Sequence, residues 1–145
     1  MVHLFKNICV AIVLGTAFIW LSDCLESPFL REFLKENLIT LLIALLAINV
    51  ATLSIIISNL KELSENIGQD FNHSLNEMKT SVIEQLVVIG MALISQMLLS
   101  SKIFKEALFF PKIEFILNAL PACLLVYAII ILWDTSKAIF ETVNK

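Results

Sequence analysis

Four long runs without a charged residue constrain this chain more than any other feature of its sequence. Counted between the flanking charges, the runs contain 16, 24, 17 and 19 residues and cover 7–22, 37–60, 85–101 and 115–133. A hydrocarbon core about 30 Å thick takes about 20 helical residues to cross, and a helix of a small soluble domain has no reason to be apolar on all sides for that length. The sequence therefore predicts an all-α integral membrane protein with four transmembrane helices.

Composition supports the same class and excludes one kind of partner. Of 145 residues, 59% are hydrophobic and 16% are charged, which leaves too little polar surface for a water-soluble globule. The net charge of −3 provides no basic face, so we expect no direct nucleic acid binding. Cys9, Cys24 and Cys123 stand too far apart in sequence for a metal or redox pair, and we interpret them as packing residues.

We expect a single membrane domain over residues 1–145. Its spans are predicted at about 4–22, 37–60, 83–101 and 115–133, with a helical loop at 61–82. The first run follows Lys6 as a secretory signal would, but it ends without the small residues of a cleavage site, so we interpret it as an uncleaved anchor. Lysine and arginine divide five against five between the two sides; we expect both termini in the cytoplasm, in a bacterial inner membrane.

The first and third loops have the composition of segments at the membrane surface. Ser27 and Pro28 suggest a helix N-cap and a first-turn proline, followed by a short interfacial helix that runs into the second span. The loop at 102–114 alternates apolar residues with lysines and is predicted to lie among the lipid headgroups until Pro111 breaks it. Within the fourth span, Pro121 predicts a kink.

The second loop, 61–82, continues the apolar spacing of three and four residues, with turn-forming residues between Gly68 and Asn72. It predicts a helical hairpin that projects from the bilayer. Its surface is the most acidic of the chain, with Glu62, Glu65, Asp70, Glu77 and Glu84. This surface is either a solvated charged face or a docking site for an electropositive cytosolic protein.

Small residues recur along the second span at alternating spacings of four and three. They form a heptad seam of Thr40, Ala44, Ala47, Ala51, Ser54 and Ser58. Helices in a bilayer associate through close backbone approach, which such a seam permits. The third span has a similar line of Ser81, Gln85, Val88, Ala92 and Ser95. Either the two lines pack against each other inside one bundle, or the seam mediates self-association into a homo-oligomer.

Catalytic machinery is missing from the sequence. The spans carry no ionisable residue at mid-membrane, and His3 and His73 are remote from each other, so we expect no enzyme, no cofactor and no metal site. The intramembrane polar residues are Asn49, Gln85, Gln96 and Asn118. These amides either bond across helices or line a narrow uncharged pore.

The organisation of the chain resembles that of small four-span inner-membrane proteins of bacterial anti-phage systems, such as the membrane subunit of Kiwa and the phage-exclusion membrane protein of lambdoid prophages. The shared features are a short anchor from Asn7, a Thr/Ala/Ser seam in the second span, a charged hairpin and two further spans. The resemblance implies an oligomeric membrane sensor or scaffold that signals to a cytosolic partner. Two alternatives stay open: a pore-forming effector that depolarises the membrane, and an immunity protein against a pore-forming toxin.

Overall fold

Four long helices form the described part of the chain. The computed structural model describes residues 2–67, 72–101 and 111–143, and its helices are α1 (Val2–Cys24), α2 (Phe29–Ile67), α3 (Asn72–Ser100) and α4 (Pro111–Val143). Each helix contains a segment long and apolar enough to cross a membrane: Phe5–Cys24, Phe29–Ser58, Met78–Ser100 and Phe115–Lys137. The predicted all-α class with four transmembrane helices is confirmed. The chain is a multi-pass membrane protein.

A tight turn joins α1 to α2. Glu26 adopts the left-handed backbone conformation, with a φ of 49°, that commonly ends a helix. The turn is closed by Ser22 and Ser27, because the Ser27 amide donates to the Ser22 carbonyl at 3.0 Å and the Ser22 hydroxyl donates to the Ser27 carbonyl at 2.6 Å. These bonds hold the ends of the two helices side by side.

The start of α2 differs from the sequence prediction. The first helical bond runs from the Glu32 amide to the Pro28 carbonyl, so Pro28 lies just before the helix instead of in its first turn. As predicted, the helix that follows Pro28 runs into the second span, since α2 continues without a break from Phe29 into the membrane. Leu34 and Leu38 are buried in the core, which makes this first part of α2 part of the bundle.

The helices α1, α2 and α3 all pack against α4, but to different extents. This helix contacts each of the other three, α2 packs against α3, and α1 lies along α4 with only a short contact to α2. A single main core fills the space between them. Its buried residues are Ile19, Leu34, Leu38, Leu42, Val88, Ala92, Ala119, Ala122, Leu124, Ala128 and Ile131. α1 is thus a peripheral helix, held mainly by α4.

A glycine allows α1 and α4 to approach closely. A Cβ atom placed on Gly15 would lie 2.6 Å from the backbone nitrogen and Cα of Cys123. Ala11, one turn earlier, is also buried, and α4 contributes Ala119 and Ala122. Small residues of this kind let helix backbones come into van der Waals contact in a bilayer.

The predicted helical hairpin is present between the second and third spans. α2 contains 39 residues and, at about 1.5 Å per residue, is about 58 Å long, so it extends beyond a bilayer. On its inner side Leu53 packs with Met78 in a second small cluster. The predicted turn residues Gly68 and Asp70 lie outside the described residues.

The fourth helix is longer than the predicted span. It begins at Pro111, where the missing amide hydrogen of proline is tolerated, and it continues beyond the predicted end at 133 to Val143. Pro121 is buried inside α4, and the helix continues through it. Residues 102–110, the larger part of the predicted headgroup loop, lie outside the described residues.

Candidate helix-packing and assembly site

The two opposite faces of α2 differ in composition and in burial. We define the inner stripe as Leu38, Leu42, Leu45, Asn49, Leu53 and Ile56, and the outer seam as Thr40, Ala44, Ala47, Ala51, Ser54 and Ser58. Most outer residues follow an inner residue by two positions, which places them about 200° around the helix. In the inner stripe Leu38 and Asn49 are 0% exposed, whereas all six residues of the outer seam are exposed.

The outer seam therefore does not pack against the small-residue line of the third span. That line, which includes Gln85, Val88 and Ala92, is buried, but the α2 residues that enter the core beside it belong to the inner stripe. Of the two alternatives that the sequence left open, packing of the two small-residue lines against each other inside one bundle does not occur. The physical reason is volume: leucine side chains fill the space between α2, α3 and α4, where alanine and serine would leave it open.

The outer seam presents small side chains without free hydroxyl donors at its end nearest the hairpin. The Ser54 hydroxyl donates to the Val50 carbonyl at 2.8 Å, and the Ser58 hydroxyl donates to the Ser54 carbonyl at 3.0 Å. Both donors are satisfied inside their own helix. Exposed branched residues, among them Ile43 and Ile48, flank the seam. A neighbouring helix could approach the α2 backbone closely between these flanks.

At Asn49 of the inner stripe, a largely buried hydrogen-bonded cluster joins three helices. We call Asn49, Gln85, Ser81 and Thr135 the amide cluster. The Asn49 side-chain amide donates to Gln85 Oε1 at 3.0 Å and to Ser81 Oγ at 3.1 Å. Asn49 comes from α2, and both acceptors come from α3. Both amide hydrogens of Asn49 are therefore used across the α2–α3 contact.

A further hydrogen bond of the cluster runs from Ser81 on α3 to Thr135 on α4. Thr135 donates its hydroxyl hydrogen to the Ile131 carbonyl at 2.9 Å, so in the 2.8 Å contact between Ser81 and Thr135 it is Ser81 that donates. Asn49 Oδ1 and Gln85 Nε2 are buried and have no partner among the described residues. The cluster thus fixes the relative rotation of α2, α3 and α4.

The other two intramembrane amides, Gln96 and Asn118, are half-buried within the chain's own helix bundle. Gln96 donates from α3 to the Leu34 carbonyl of α2 at 3.2 Å, near the opposite end from the amide cluster. Asn118 is half-buried on α4 and makes no hydrogen bond among the described residues. Asn49, Gln85 and Gln96 face neighbouring helices of the same chain. They do not lie on an outer face where several copies could line a shared pore.

Polar contacts also mark the two ends of the bundle. At the end where the chain begins, the Asn7 side chain donates to the Asp134 carboxylate. Glu84, assigned from the sequence to the acidic hairpin, is half-buried on α3 and interacts with Tyr127 of α4. At the other end, Asp23 forms an ion pair with Arg31.

Sequence reasoning missed two of these contacts. The Ala11-x-x-x-Gly15 spacing is a small-residue packing motif, and it predicts the close approach of α1 to another helix. The partner, Cys123, has no such signal. The bond between Asn7 and Asp134 joins residues 127 positions apart, and nothing in their local sequence indicates it.

The side chains of the predicted docking hairpin lie outside the described part of the structure. Glu62 and Glu65 belong to α2 and Glu77 to α3, but only their backbones are described, and Asp70 is not described at all. Among the described residues, no group of three or more histidine, cysteine or acidic side chains could hold a metal ion.

Models of protein families, curated proteins and solved structures were compared with the chain, and none of them matches it. Three features of the structure bear on function: the exposed outer seam, the amide cluster and the helical hairpin.

Proposed function

We propose that this chain is a non-enzymatic membrane scaffold that assembles into a homo-oligomer through the outer seam of α2. One observation carries the proposal: α2 buries Leu38, Leu42 and Leu53 of its inner stripe and exposes a continuous line of small residues. Lipid tails gain nothing from alanine and serine in particular, whereas a second helix gains close van der Waals contact along such a line. The seam is therefore better suited to another copy of α2 than to lipid.

The geometry of the membrane restricts how two copies can meet. Copies inserted in the same orientation place their α2 helices parallel, related by rotation about an axis normal to the bilayer. The seam repeats at alternating spacings of four and three residues, which averages 3.5 residues and favours a left-handed crossing of about 20°. We expect α2 at the centre of the assembly and α1, on the far side of α4, at its periphery.

Assembly about α2 would bring the hairpins of several copies together. Each hairpin adds Glu62, Glu65 and Glu77 to one acidic surface outside the bilayer. A surface of that charge suits an electropositive cytosolic protein, which is the partner expected of a sensor or scaffold. A role in bacterial anti-phage defence at the inner membrane remains a hypothesis that rests on the resemblance in organisation. It predicts protection against phage that depends on a co-expressed soluble partner.

The mass of the purified protein in nanodiscs tests the assembly. The double variant Ala47→Leu/Ala51→Leu fills the seam, and we expect it to reduce the native oligomer to monomer while helical content stays unchanged. The matched control Ile43→Leu/Ile48→Leu conserves volume at exposed positions beside the seam and should keep the native mass. If the seam variant has the same mass as the unmodified protein, the proposal is wrong.

The pore alternative has a separate measurement. Because Asn49 and Gln96 bond within one bundle, we expect liposomes that contain the protein to hold an ion gradient. Dissipation of the gradient by the unmodified protein, and its loss in the seam variant, would instead identify a conducting oligomer.

A further inference from the structure

Two lateral contacts fix the ends of the lipid-facing part of α1. Asn7 is bonded to Asp134 of α4 at one end, and Asp23 is paired with Arg31 of α2 at the other. Asn7 and Asp23 are 16 positions apart in the sequence. At about 1.5 Å per helical residue, this separation is about 24 Å along the axis, and any tilt of α1 makes it shorter across the bilayer.

Between these ends, α1 presents large apolar side chains to its surroundings. Val13 is 65% exposed, Phe18 is 50% exposed and Leu21 is 49% exposed. The polar ends have little freedom to adjust, because aspartate side chains are short and both are held by partners from other helices. Long lysine or arginine stems reach back to the interface from within the hydrocarbon, but Asp23 and Asp134 lack such stems.

The stretch between the polar ends of α1 is the shortest of the four. The charge-free runs of α2 and α4 contain 24 and 19 residues, which correspond to about 36 and 28 Å. The run of α3 is nearly as short as that of α1, with 17 residues, but the charge that follows it is a lysine, Lys102, and lysine stems can reach back to the interface. A typical hydrocarbon core is about 30 Å thick. Beside α1, a bilayer of that thickness would cover the carboxylates of Asp23 and Asp134 with acyl chains, which is unfavourable.

We propose that the exposed face of α1 is a lipid-binding surface that selects phospholipids with short acyl chains and thins the bilayer beside it to about 24 Å. The inference goes beyond the proposed function, because it concerns the exposed face of α1 and not the outer seam of α2. It also gives the assembly a physical asymmetry, with a thin lipid collar around a thicker centre.

Tryptophan fluorescence tests this preference with a natural reporter. The chain has two tryptophans, and Trp133→Phe leaves only Trp20, which lies on α1 and is 63% exposed. The full-length variant is reconstituted in vesicles that mix brominated dimyristoleoyl phosphatidylcholine with unlabelled dioleoyl phosphatidylcholine, and then with the label exchanged. We expect quenching of Trp20 to report about threefold tighter binding of the short-chain lipid. Equal binding, or tighter binding of the oleoyl lipid, would overturn the proposal.

Variants of the Asp23–Arg31 ion pair test whether this pair causes the preference for the short-chain lipid. Asp23→Leu/Arg31→Leu removes both charges without leaving either unpaired, so we expect the preference for the short lipid to disappear. The control Asp23→Asn/Arg31→Gln keeps polar groups at the same level and should retain most of it. A leucine variant that folds and still prefers the short lipid would contradict the role of this pair. The seam variant Ala47→Leu/Ala51→Leu should keep the lipid preference, which separates this test from that of assembly.

Discussion

The inner stripe and the outer seam lie on the same helix, α2, and both have spacings of three and four residues, yet only the inner stripe is buried. Leu38, Leu42 and Asn49 face the bundle, whereas Ala44, Ala47 and their neighbours face outward. In water, hydrophobicity decides which face of a helix is buried. In lipid, apolar residues can stand on either face, and side-chain size decides how the helix packs. The leucines of the inner stripe fill the interior of the chain, and the small residues of the outer seam are left exposed.

The contact between α1 and α4 shows the opposite use of small residues. There Gly15 and Ala11 lie inside the bundle, and the backbones approach so closely that a single Cβ atom would collide with Cys123. Small residues in this protein therefore serve close approach in two places, once within the chain and, as we propose, once between chains.

The largest effect is expected at the contact between α1 and α4. Gly15→Val places branched atoms where the Cys123 backbone already lies, and we expect it to destabilise the bundle by about 3 kcal/mol, the upper part of the range for overpacking. Ala17→Val on the exposed side of the same helix is the control and should change stability little. Unfolding in mixed detergent micelles measures both, and equal stability of the two variants would show that α1 does not rest on α4 at Gly15.

A smaller effect is expected from the inner stripe. Asn49→Leu removes the donor to Gln85 and Ser81, and we expect a loss of about 1 to 2 kcal/mol of stability, as for other hydrogen bonds between membrane helices. Adding Gln85→Leu should cost less than the sum of the two single changes, because the second partner is no longer left unpaired. Thr40→Val, on the outer seam, is the control for a polar-to-apolar change at an exposed site. Additive costs in the double variant would mean that Asn49 and Gln85 do not bond.

The smallest effect is expected from the serines of the outer seam. Ser54 and Ser58 donate to carbonyls of their own helix, so Ser54→Ala/Ser58→Ala should change stability by less than about 0.5 kcal/mol and leave the oligomer intact. Mass in nanodiscs and detergent unfolding check the two expectations. Loss of the oligomer would show that these hydroxyls bond between chains instead of within α2.

Much of the fold could be predicted because charge-free runs of this length form transmembrane helices in a bilayer. The spans and the helical hairpin follow from where the charged residues stand. The identity of the buried face of α2 did not follow, since both of its stripes have spacings of three and four residues and, in lipid, the more hydrophobic stripe need not be the one that faces the interior. Asn49 held the missing signal: a lone amide in a leucine stripe must find a partner, and Gln85 is the amide at the facing depth of the next span.

The placement of Glu84 could not be predicted for a different reason. Its neighbours in sequence are those of the acidic hairpin, but it is half-buried on α3 and interacts with Tyr127 of α4. Contacts of this type depend on helix rotation, which is fixed by packing across the whole bundle. The same holds for the bond between Asn7 and Asp134.

Disulfide crosslinking in native membranes tests the central claim most directly. In a background in which Cys9, Cys24 and Cys123 are replaced by serine or alanine, single cysteines are introduced at Ala47, at Ala51 and, as a control, at Gly90, which faces open space on α3. The account predicts crosslinked dimers on oxidation for the two seam positions and monomer for Gly90→Cys. Monomer at both seam positions, or crosslinking at Gly90 alone, would contradict assembly through the outer face of α2.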